Sequence, residues 1–95
     1  VVRLTITTRA RRDLREIWRE IAKDNRTAAD AIVRRAGERI RSLEHHPELG
    51  PARPDFGPGL RALVAGKYLV VYKRRPDEVE IVRVLHGARD LSDLL

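Results

Sequence analysis

Residues 68–90 read YLVVYKRRPDEVEIVRVLHGARD, and the fold is decided there. Tyr68-Leu69-Val70-Val71-Tyr72 is one apolar, β-branched and aromatic run; Val79-Glu80-Ile81-Val82-Arg83-Val84-Leu85 is another. Lys73 to Glu78 separates them, with Pro76-Asp77 as the turn signal, since proline presets φ and aspartate bonds the backbone beyond it. Five successive apolar positions in the first run predict a strand covered on both faces and central in its sheet. The polar exit, His86-Gly87-Ala88-Arg89-Asp90, is the first place to look for function.

Working upstream, Leu60-Arg61-Ala62-Leu63-Val64 alternates as a strand should, and Ala65-Gly66-Lys67 is a tight turn into Tyr68. Between His45-His46-Pro47 and Gly59 lie four prolines (Pro47, Pro51, Pro54, Pro58) and three glycines (Gly50, Gly57, Gly59), which predict a long irregular loop. Leu49 and Phe56 are expected to pin that loop to the core. Two amphipathic helices precede it. The first carries its apolar stripe on Ala10, Leu14, Ile17, Trp18, Ile21 and Ala22, and its solvated face on Arg11, Arg12, Asp13, Arg15, Glu16, Arg19, Glu20 and Lys23. Thr7 and Thr8 are its capping residues, and Asp24-Asn25 ends it in a left-handed turn. Thr27 and Asp30 read as a shortened capping box for the second helix, whose stripe is Ala28, Ala29, Ile32, Val33, Ala36, Ile40 and Leu43. Gly37 lies within that helix and is read as permitting close packing.

Val2 to Thr7 alternates and predicts a strand at or near a sheet edge. Residues 1–95 are therefore expected to form one α+β domain of order β-α-α-β-β-β, an antiparallel meander packed on a helical hairpin. Asp90 to Leu95 is read as a short final helix with Leu91, Leu94 and Leu95 inward.

The net charge of +6 rests on 20 basic residues, 17 of them arginine and 3 lysine, and points to an acidic partner. No cysteine is present, which excludes disulfides, thiolate metal sites and cysteine nucleophiles and is compatible with a reducing compartment. No apolar run approaches the roughly 20 residues that span a bilayer, and no signal-peptide pattern precedes Val1, whose place at position 1 suggests a trimmed chain.

Nucleotide, metal and serine-nucleophile chemistries lack their motifs. Gly57-Pro58-Gly59 is not followed by Gly-Lys-Ser/Thr, His45 and His46 are adjacent and would point apart, and neither Ser42 nor Ser92 sits in a nucleophile elbow. No cofactor is expected. The remaining cluster is Arg61, Arg83, His86 and Arg89, with Lys67 and Arg53 beside it. Converging arginines would hold a phosphodiester while histidine moved a proton. The competing structural reading pairs Arg89 with Asp90 or another carboxylate to fix the last turn.

The chain resembles the RelE/ParE toxins of bacterial toxin–antitoxin pairs, and the ParE branch in particular. The resemblance rests on Ala10…Asp13-Leu14…Ile17-Trp18…Ile21-Ala22, Asn25…Ala28-Ala29, Leu43…Pro47…Gly50, Pro58-Gly59-Leu60-Arg61, Gly66-Lys67-Tyr68-Leu69-Val70-Val71-Tyr72 and Ile81 to Asp90. It implies a cytoplasmic toxin that inhibits DNA gyrase, is not a hydrolase, and is neutralised in a hetero-oligomer with a ParD-like antitoxin. Trp18, Arg53, Arg61, Lys67, Arg83, His86 and Arg89 are then the residues expected to meet antitoxin or target. The RelE branch, which cleaves messenger RNA on the ribosome, is the alternative, and Arg61, Arg83, His86 and Arg89 would be its catalytic set. That branch commonly has an arginine after the tyrosine of the third strand, where this chain has Leu69, and an aromatic near the carboxyl end, where this chain has Leu91-Ser92-Asp93-Leu94-Leu95. A generic nucleic-acid-binding domain is a third reading, and it lacks an aromatic stacking platform.

Overall fold

The computed structural model of the chain describes residues 1–90, so the expected helix over Asp90 to Leu95 lies outside the described residues. The order of elements is β1 (Arg3–Ile6), α1 (Thr8–Ala22), α2 (Arg26–Ser42), β2 (Leu60–Ala65), β3 (Tyr68–Arg75) and β4 (Glu78–His86), the α+β arrangement the patterning predicts. The four strands form one sheet in the order β1-β4-β3-β2. β2, β3 and β4 are the antiparallel meander, and β1 lies at the edge, parallel to β4.

β3 is central because its residues are apolar on both faces. Val70 and Tyr72 are buried on the helical side with Leu43, Leu63, Val79 and Ile81. Val71 is buried on the other side with Phe56, Ala62 and Leu85. The turn between β3 and β4 is shorter than the sequence implies. Arg75 pairs with Glu78, so Lys73 and Arg74 belong to the strand and Pro76-Asp77 alone makes the turn. Ala65 likewise pairs with Tyr68 as strand, leaving Gly66-Lys67 as the turn. Gly66 takes φ +61, as the first central position of a two-residue hairpin requires of a glycine.

The helical hairpin starts and stops differently from expectation. Thr7 caps α1 as predicted, accepting from the Ala10 N–H at 3.1 Å. Asn25, expected to end α1 in a left-handed turn, is extended (φ −158) and is instead the N-cap of α2, accepting from the Ala28 N–H at 2.9 Å. Thr27 and Asp30 consequently lie inside α2 and form no capping box; the Asp30 carboxylate accepts from Trp18 Nε1 at 2.8 Å and ties the two helices together. Gly37 does not permit close packing, since a Cβ there would meet only the flexible end of Arg41, at 3.4 Å.

The long loop is pinned by Phe56, as expected, but not by Leu49, which is 44% exposed. Tyr72 holds that part of the loop instead. Its hydroxyl accepts from the Gly50 N–H at 3.0 Å and donates to the Pro47 carbonyl at 2.9 Å. Gly50 must be glycine, because a Cβ would come within 2.8 Å of the Ala62 backbone. Ala52 then bridges to Arg61, so the loop partly covers the outer edge of β2.

Candidate functional site

β1 is too short to cover the full length of β4. Their pairing stops at Ile6 with Ile81, and the backbone of β4 beyond that point needs other partners. Thr7 supplies two: its N–H donates to the Ile81 carbonyl at 3.0 Å and its hydroxyl to the Val82 carbonyl at 3.2 Å. Asp13, one and a half turns into α1, supplies the next by accepting from the Val84 N–H at 2.9 Å. The same carboxylate takes Arg83 Nε at 2.9 Å and lies 3.4 Å from Arg9 Nε. Asp13 is 5% exposed and is the buried charged residue of the described chain. Its placement on a solvated face was therefore wrong. Helical periodicity puts it at the margin of the apolar stripe, and only the unpaired amide of Val84 shows why an acid is needed there.

The β4 strand also shifts register at this point. Val71 faces Arg83 while Tyr72 faces Ile81, which leaves Val82 as the extra residue of a bulge. Beyond it, His86 to Asp90 closes on itself. The His86 N–H donates to the Asp90 carboxylate at 2.9 Å, and His86 Nδ1 accepts from the N–H groups of Ala88 and Arg89 at 3.2 Å each. The imidazole therefore carries its proton on Nε2, and its ring meets Tyr68 edge-on at 5.4 Å. Among the described residues Arg89 pairs with neither Asp90 nor another carboxylate, and the Asp90 carboxylate instead caps the turn backbone.

The cluster expected to converge is thus divided. Arg61 stands apart, donating to the Gly50 carbonyl at 2.7 Å and the Glu48 carbonyl at 3.2 Å, where it fastens the loop. Arg83 is engaged by Asp13. Arg53 grips Asp55 with two hydrogen bonds of 3.0 and 2.9 Å and lies 4.0 Å over the Phe56 ring, so it covers the residue that seals the outer face of the sheet. The hydrogen bond from Arg53 holds the Asp55 carboxyl below its ordinary value, so this clasp is complete above the usual aspartate range and is lost as pH falls through the lowered value. Trp18 is half-buried between the helices, with the Arg26 guanidinium 5.7 Å from its ring centre.

Arg89 and Lys67 are the two members of the set that remain available. Both are exposed, and neither forms an ion pair among the described residues. They lie on the rim of a groove of about 650 Å³ between the tip of the helical hairpin and the β2–β3 turn, with Ile21, Ile32, Ala65 and Tyr68 among its lining. Arg35 and His86 line it too, as do the acids Glu20 and Asp24. A smaller cleft of about 340 Å³ on the other side of Arg89 contains Arg9, Asp13 and Arg83. No group of acid and histidine side chains among the described residues has the arrangement of a metal site.

A helical hairpin on a four-stranded sheet ordered β1-β4-β3-β2 is a RelE/ParE-like α+β fold. The family model for the "ParE toxin of type II toxin-antitoxin system, parDE" matches residues 4–91, and the chain belongs to that family. Toxin ParE3 of Caulobacter vibrioides is 31% identical over 81 residues, 84% of this chain and 81% of its own. Putative toxin Y4kP of Sinorhizobium fredii is 35% identical over 95 residues, 98% of this chain and 96% of its own. A chain from the solved "Chromosomal ParDE TA system from P. aeruginosa" shares the fold with a TM-score of 0.78 at 23% identity, over 90% of this chain and 95% of that one.

Proposed function

We propose that this ParE-family toxin acts by binding: it inhibits DNA gyrase, is held in a hetero-oligomer by a ParD-like antitoxin, and catalyses no reaction itself. The observation that carries the non-enzymatic part is the engagement of the side chains a ribonuclease would use. Arg61 is spent on loop carbonyls, Arg83 on a buried carboxylate, and His86 Nδ1 on two backbone amides. A phosphodiester at the cleft beside Arg89 would meet an Arg83 already paired with Asp13, would find Arg61 elsewhere, and would face a histidine with only one nitrogen to offer.

The groove supports the antitoxin reading. Its apolar lining suits the apolar side of an amphipathic segment, and Arg35, Lys67 and Arg89 suit acidic residues on that segment's rim. The choice of gyrase rests on family membership, and a cytoplasmic site of action follows from that target. A single domain over residues 1–95 is taken to carry both activities.

The deciding experiment incubates the purified toxin with gyrase and relaxed plasmid, and in parallel with a translating extract. Supercoiling is expected to stop with cleaved DNA complexes accumulating, while translated messages stay intact. Codon-dependent message cleavage with gyrase unaffected would replace this reading with the RelE one.

A further inference from the structure

The outward side of α1 carries charges that the fold does not use. Arg11, Arg15 and Arg19 follow one another at intervals of four residues, which places them in a single row with about 6 Å between successive members along the axis. All three are exposed, and none has a carboxylate within ion-pair distance among the described residues. Like charges at this spacing repel. The helix dipole does not account for the row: it favours Arg19 in the last turn but opposes Arg11, which lies near the positive end of a helix whose first turn has no acidic residue. Arginine's good helix propensity explains any one of these residues but not their alignment.

The opposite side of α1 is occupied by α2 and β4, so the row faces outward. Its chemistry selects among polyanions. A protein segment would need apolar anchors beside the charges. The large exposed apolar residues of the described chain are Val1, Leu49 and Val64, and α1 has none. A single-stranded nucleic acid would need rings to stack on. The chain has four aromatic residues: Tyr68, Tyr72 and Phe56 are buried, and Trp18 is held by Asp30 under Arg26. What remains is a straight row of guanidinium groups, suited to phosphates along a duplex and indifferent to base sequence.

We propose that Arg11, Arg15 and Arg19 form a contact row for the phosphate backbone of duplex DNA, so that this toxin itself touches DNA. The row is separate from the groove at Lys67 and Arg89, and the inference stands whether or not gyrase is the target.

Fluorescence anisotropy with the full chain and two duplexes of unrelated sequence tests it, with salt varied from about 50 to 200 mM. Both duplexes are expected to bind within about twofold of each other. The triple variant Arg11→Gln, Arg15→Gln, Arg19→Gln is expected to lower the slope of log affinity against log salt by about 2 to 3, the value for three lost phosphate contacts. A control losing the same charge elsewhere, Arg34→Gln, Arg41→Gln, Lys73→Gln, is expected to lower it by less than about 1. The melting temperature of the triple variant should not fall, because the substitutions relieve repulsion, so loss of binding is not loss of fold. The proposal is overturned by an unchanged slope, by an equal drop in the control, or by tighter binding to single strands than to duplex. It is also overturned if the triple variant loses antitoxin affinity while DNA binding holds.

Discussion

Asp13 joins α1 to β4 through one carboxylate: it accepts from Val84 N–H and Arg83 Nε at 2.9 Å each and has Arg9 of its own helix beside it. Removing it would leave a mostly buried guanidinium without its partner and a strand amide without an acceptor. Asp13→Ala is expected to destabilise the fold by about 3 kcal/mol, toward the low end for broken buried pairs because Arg83 keeps some contact with water. Urea denaturation measures this, and a loss below about 1 kcal/mol would contradict the assigned role. The sequence shows an acid at the margin of an amphipathic helix's apolar stripe, and its charge alone argues for solvent. Arg83 was legible as a charged residue in an apolar strand, but its partner lies 70 positions away in the chain. Arg61 misled in the same way, since the carbonyls it serves belong to a loop whose path no local pattern predicts.

At the scale of elements, α2 contains a glycine that the surrounding structure does not require. Gly37 has helical neighbours and no positive φ, and a Cβ there would meet only the flexible end of Arg41. Gly37→Ala is expected to stabilise the protein by about 0.5–1 kcal/mol through lower unfolded-state entropy and better helix propensity. Thermal melting reads this directly, and a lowered melting temperature would mean that the helix interface is tighter than described. Gly50 is the opposite case: it packs against the backbone of Ala62, and Tyr72 holds its amide. Tyr72 was readable as a core strand residue, and it is fully buried. Its hydroxyl bonds were not, because they join a strand to a loop 22 and 25 residues earlier.

On the scale of the whole molecule, the excess of basic residues includes a groove rim and a helix row, with different partners proposed for each. Lys67→Glu with Arg89→Glu is expected to weaken capture of a ParD-like antitoxin by about tenfold at low salt, chiefly through slower association. Surface plasmon resonance checks this, and an unchanged association rate would remove the groove rim from the antitoxin interface. By itself the sequence determined the order and type of elements among the described residues, the central place of the Tyr68–Tyr72 strand, the two-helix hairpin and the basic character, because these follow from periodicity, turn residues and composition within short windows. The tertiary structure alone decided that the first strand lies parallel beside the last, that Asp13 serves the stretch of that last strand which the first leaves unpaired, and that Arg61 stands apart from Arg83 and Arg89. Those outcomes depend on backbone groups left unpaired where elements of unequal length meet, a quantity that no local stretch of residues contains.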